Sequence, residues 1–169
     1  MIAARPRNAI AEAYVAACRL EVRTLKPGNV HIFADGHRMT VADFDLSATV
    51  SAPFIADPAL SVGDRIFKAV EATFAAVATN TNLGIVLLCA PLAAAAEHGT
   101  ESTSLADSLH AVLAALDHND ARAAYKAIAM ANPAGLGSDD AGDVRAEPPA
   151  DWTLLDAMRA AAPRDMIAQ

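Results

Sequence analysis

Forty-two of the 169 residues are alanine, roughly a quarter of the chain, and that bias restricts the available folds more than any other feature. Alanine is the strongest helix former and is depleted in strands. Only 5% of the residues are aromatic, whereas 54% are hydrophobic and 20% charged. An all-β architecture is therefore disfavoured and intrinsic disorder is excluded. The chain length suits one domain with a sizeable core. The expectation is an all-α fold, a single compact domain over residues 1–169 with about seven helices.

Several function classes fall away. The longest apolar run, Ile85 to Ala96, is too short to cross a bilayer and contains Pro91, and no apolar leader opens the chain. The net charge of −7 argues against general nucleic-acid binding. Cys18 and Cys89 lie in apolar segments, as reduced thiols do, so the expectation is a cytoplasmic protein without nucleic-acid or membrane partners. The charge is uneven. Residues 1–40 hold six basic and three acidic side chains, the remainder seven and 17. One electropositive end suits a small polyanion such as a nucleotide triphosphate; a basic first helix with no such role accounts for it equally well.

Local signals place the helices. The first is expected over Asn8 to about Thr24, stopped by Lys26-Pro27-Gly28, before a loop over 25–39. Thr40 with Asp43 opens the second, which ends or kinks near Pro53, and Ser61 with Asp64 opens the third, to about Thr79. A break at Asn80-Thr81-Asn82-Leu83-Gly84 precedes an apolar helix over 84–97. Two more are expected, over 104–117 and from Asp120 to Asn132, followed by a loop over 132–150 and a last helix after Asp151 or Thr153. No repeat or extended heptad pattern is present.

Two carboxylates fall on apolar stripes. Glu21 shares the spacing of Ile10, Tyr14, Ala17 and Leu25, and Glu71 lies one turn from both Phe67 and Phe74. Burying an unpaired acid costs several kcal/mol, so such residues are paired, bound to metal, or placed at the edge of the stripe. Together with the Asn80 to Asn82 break, they are expected to converge on one polar cleft rimmed by the 25–39 loop. Zinc and di-iron helix spacings, a Walker loop and G-x-G-x-x-G are all absent.

The ordered motifs resemble the triphosphoribosyl-dephospho-CoA synthase family. They are Glu21-Val22-Arg23-Thr24-Leu25-Lys26-Pro27-Gly28-Asn29-Val30, Asp43-Phe44 with Ser47-Ala48, Glu71, and Asn80 to Gly84 followed by Leu87-Leu88-Cys89-Ala90-Pro91-Leu92. Leu154-Leu155, Ala157-Met158 and Arg164 to Ala168 continue the resemblance. It implies an all-helical, ATP-binding transferase of coenzyme biosynthesis. The enzyme would move the triphosphoribosyl group of ATP onto the ribose 2′-hydroxyl of dephospho-CoA or a related acceptor, releasing adenine, with Mg2+ accompanying the triphosphate. Carried onto this chain, it makes Glu21 and Glu71 the catalytic and metal-binding acids, in either order. Lys26, Gly28, Asn29 and His31 become phosphate contacts, and Asn80, Thr81 and Asn82 ribose or phosphate contacts. A homo-oligomer is compatible with these features.

The chain departs from the pattern at two places. Better-known bacterial members carry N-T-H-K-G where Asn80 to Gly84 stand, and Asp35 to Met39 only partly match G-A-H-x-D-M. Both changes resemble a second branch, found in archaea and in bacteria with methanopterin-linked one-carbon metabolism. The chain also ends at Gln169 within the family pattern, so the C-terminal part of the full domain is expected to be missing. The alternatives are a family member acting in pterin-type cofactor biosynthesis and a non-catalytic helical binding subunit.

Overall fold

The computed structural model describes residues 4–24, 39–99, 103–133, 142–163, 165 and 167–168. Among them are seven helices: α1 (Arg7–Arg23), α2 (Val41–Ile55), α3 (Val62–Val77), α4 (Leu83–Glu97), α5 (Leu105–Ala114), α6 (His118–Ala131) and α7 (Leu154–Ala161). The all-α expectation holds.

Short polar signals start most of these helices. Thr40/Asp43, Ser104/Asp107, Asp117/Asp120 and Thr153/Asp156 form reciprocal capping boxes, and the Ser61 hydroxyl caps α3 through the Asp64 amide. One expected boundary is corrected. The sixth helix begins after Asp117, with Asp120 as the third helical residue of its box. Pro53 lies inside α2, which continues to Ile55, and Pro91 lies inside α4.

Side-chain contacts set the helix directions. Arg7, at the start of α1, donates to Pro53 O and Asp57 at the far end of α2, while Arg19 pairs with Asp45 near the start of α2. The two helices are therefore antiparallel. Arg65 at the start of α3 reaches Glu97 at the end of α4, so that pair is antiparallel as well. Consequently the end of α1, the start of α2 and the α3–α4 turn share one end of the bundle. α5 packs on α4, α6 on α3, and α7 on α6.

Half of the buried apolar residues among those described are alanines, including Ala48, Ala52, Ala69, Ala90, Ala121 and Ala124. Small side chains let helix backbones approach closely. One close approach is at Gly63, where an added Cβ would lie 2.5 Å from Asp120 Cα.

Candidate active site

The break between α3 and α4 is built from its own polar side chains. α3 ends at Ala78 in a left-handed conformation (φ 53°), and the Ala78 amide donates to Phe74 O at 2.8 Å. Asn80 Oδ1 accepts from the Leu83 amide at 3.1 Å. Asn82 occupies the N-cap position of α4, yet its side chain caps nothing. It is turned into the bundle, 8% exposed, and its Nδ2 donates to Thr73 Oγ1 at 3.1 Å. Ser51 Oγ and Tyr14 Oη lie slightly farther from the same nitrogen, at 3.4 and 3.5 Å.

Two chains of hydroxyls run from this cluster into the backbone of α2. Thr81 Oγ1 donates to Ser47 Oγ at 2.6 Å, and Ser47 Oγ donates to Asp43 O at 2.6 Å. Ser51 Oγ donates to Ser47 O at 2.6 Å, which commits its single proton. The phenol of Tyr14 is then the donor in its 2.9 Å bond to Ser51 Oγ. Burial holds that phenol protonated well above its ordinary range and pushes the Cys18 thiol up to about 11. Cys89 is raised for the same reason. The interior of the cluster is polar and neutral.

The acids are placed differently from one another. The buried stripe of α1 is Ile10, Tyr14, Cys18 and Val22, so Glu21 lies at its edge, half-buried, in the last turn. Glu21 thus shares the bundle end with the α3–α4 turn. The expectation that Glu71 faces the core is corrected: it is exposed. The buried face of α3 carries Ile66, Ala69, Val70 and Thr73, and Glu71 projects about 200° around the helix from Thr73. Asn80 and Thr81 are half-buried and Asn82 is buried. Lys26, Gly28, Asn29 and His31, with the rim expected over 25–39, lie outside the described residues apart from Met39. Among the described residues, no group of three or more His, Cys, Asp or Glu is placed to hold a metal ion.

A family model for ATP:dephospho-CoA triphosphoribosyl transferase matches residues 7–169. The chain belongs to the ATP:dephospho-CoA triphosphoribosyl transferase family. No curated protein and no solved structure matches it.

The match makes the chain a transferase of coenzyme biosynthesis and spans every residue of the hydroxyl–amide cluster. No helix among the described residues is long and apolar enough to cross a membrane. The two departures from N-T-H-K-G, Asn82 and Leu83, are both buried. Three members of the cluster, Tyr14, Ser51 and Thr73, were not candidate site residues from sequence, and Ser47 entered only through a motif. A signal was present: Ser47 and Ser51, four residues apart, interrupt a face otherwise built from Ala48, Ala52 and Ile55.

Proposed function

We propose that the protein transfers the triphosphoribosyl group of ATP to dephospho-CoA or a closely related acceptor, releasing adenine, at the bundle end that carries Glu21 and the α3–α4 turn. The observation that supports this most is a family match extending over the whole bundle, including the interrupted helix pair at that end. In the reaction, the bond between C1′ of the ATP ribose and N9 of adenine breaks. A bond between C1′ and the acceptor 2′-oxygen forms. The hydroxyl proton passes to a carboxylate, and adenine leaves with a proton in place of the lost bond.

Glu21 is the carboxylate whose position favours a base or metal-ligand role. Magnesium arrives on the triphosphate, a mode that needs one or two protein carboxylates rather than a complete protein cage. Glu71 has no polar partner among the described residues, and its exposed carboxylate is free to meet substrate. Asn80 and Thr81 offer neutral hydrogen-bonding groups suited to ribose. Lys26, Gly28, Asn29 and His31 are assigned to the phosphates.

Incubation with ATP, magnesium and dephospho-CoA tests the reading by adenine release; none with any CoA-like acceptor overturns it. Glu21→Gln is expected to lower kcat by about 100-fold or more, as removal of a general base does. The same assay on Glu71→Gln decides whether that acid takes part. Lys26→Ala is expected to weaken ATP by about 1–3 kcal/mol and to leave adenosine unchanged, with the difference shrinking as salt rises. Equal losses for both ligands would reject its phosphate role.

One observation favours a second reading, a changed acceptor of pterin type. Asn82 and Leu83 remove the imidazole and ammonium of N-T-H-K-G from this turn. ATP binding without turnover of dephospho-CoA would mark that branch. Absence of any ATP binding, with stable attachment to another protein, would mark a non-catalytic subunit.

A further inference from the structure

We infer that Asn82 is a positioning residue, which pins the α3–α4 turn from inside so that Asn80 and Thr81, and not Asn82 itself, face the substrate; the catalytic part of this inference rests on the function proposed above. The first observation is a forfeited cap. Asparagine is among the best N-cap residues, and at this position its side chain would ordinarily accept from the second or third amide of α4. Instead no side-chain cap bond forms, and Asn80 supplies the turn's bond to the Leu83 amide.

The second observation is what the Asn82 side chain does instead. Its amide nitrogen reaches Thr73 of α3, with Ser51 of α2 and Tyr14 of α1 close by. One side chain thereby ties the start of α4 to the three preceding helices. Thr81 is fixed separately, through Ser47 to the first turn of α2. The turn cannot shift without breaking bonds to α2 and α3, and a displacement of ~1 Å at such a site can cost about 100-fold in rate.

Thr73 provides the test, because its hydroxyl can be removed without changing side-chain volume. Thr73→Val deletes the acceptor, and Thr73→Ser keeps it. Amide hydrogen exchange at Leu83 and Val86, whose amides bond to Asn80 and Asn82, reads the turn with no substrate present. Thr73→Val is expected to speed that exchange by ~10-fold or more while amides at the middle of α3 keep their rates. Thr73→Ser is expected to match wild type. In the adenine-release assay, Thr73→Val should lower kcat about 10-fold or more with KM for ATP within about threefold, and Thr73→Ser should restore kcat.

Asn82→Ser provides a second route, since serine caps a helix but is too short to reach Thr73. It is expected to reproduce the exchange and kcat changes while amides at the middle of α3 keep their rates. Unchanged exchange at Leu83 and Val86 in Thr73→Val overturns the inference, as does a rise in KM for ATP with kcat intact. If wild type releases no adenine, the proposed function fails, and the exchange comparison still decides whether Asn82 positions the turn.

Discussion

Arg65 and Glu97 meet in a two-pronged ion pair inside the bundle, Nη1 donating to Oε1 at 3.0 Å and Nη2 to Oε2 at 2.6 Å. The side chains are 2% and 10% exposed. The guanidinium also donates from Nε to Leu60 O and from Nη1 to Ile55 O, so one cation joins α3, α4 and the end of α2. Removing one partner strands the other charge in the core. Glu97→Ala is expected to destabilise the fold by about 3–5 kcal/mol, read from urea denaturation. Breaking the exposed Arg19–Asp45 pair by Arg19→Ala should leave the urea midpoint nearly unchanged.

Gly63 marks a close contact between α3 and α6. Its amide donates to Asp120 Oδ1 at 2.7 Å, and an added Cβ would lie 2.5 and 2.7 Å from backbone atoms of Asp120. Backbone atoms cannot swing aside as a long side chain can. Gly63→Ala is expected to destabilise by about 2–3 kcal/mol through forced separation of α3 and α6, measured by denaturant unfolding. A neutral result would show that this pair yields more readily than its spacing implies.

Ala78 carries the opposite prediction. At φ 53° an L side chain crowds its own backbone, and glycine does not. Ala78→Gly should stabilise by about 1 kcal/mol after the entropy of the unfolded glycine is offset. Thermal melting checks it, and a fall in melting temperature would contradict it.

Stability should fall on the alkaline side. The Cys18 thiol, ordinarily near 9.0, is pushed up to about 11 by burial, and the Tyr14 phenol is raised for the same reason. Above pH 9 the unfolded chain releases the thiol proton while the folded chain keeps it. The contribution is thus complete below the ordinary thiol pKa and is lost as pH rises from about 9 to 11. Urea midpoints across this window should decline, and Cys18→Ala should make the decline shallower. An unchanged slope would mean that the thiol is better solvated than its position implies.

The parts of the fold that depend on a few consecutive residues were legible in the sequence. Thr40/Asp43, Ser61/Asp64 and Thr153/Asp156 mark helix starts because caps are local chemistry. The start at Asp117 is not legible locally because Asp120 is equally suited to cap; its carboxylate instead joins Asp117's box and accepts from distant Gly63. The direction of Glu71 is not legible for a different reason. The spacing of Phe67 and Phe74 points to an inner stripe through Glu71, yet Phe74 is exposed and the buried stripe is Ile66, Ala69, Val70 and Thr73. Where the interior is lined with alanine, bulk is a poor guide to direction. The break at Asn80 to Asn82 was legible as an interruption of two apolar helices, but its partners Tyr14, Ser51 and Thr73 come from three other helices that no local pattern links.

The alanine lining also determines how sequence change far from the turn is felt there. Ala48, Ala52, Ala69 and Ala90 have no side-chain torsion with which to absorb a larger neighbour. Enlargement at any of them displaces a whole helix as a rigid rod. α2, α3 and α4 each carry residues bonded at the turn, so that displacement travels along the helix axis to Ser51, Thr73 or Asn82. Family members that differ only at these small interior positions should therefore differ in turnover before they differ in substrate choice.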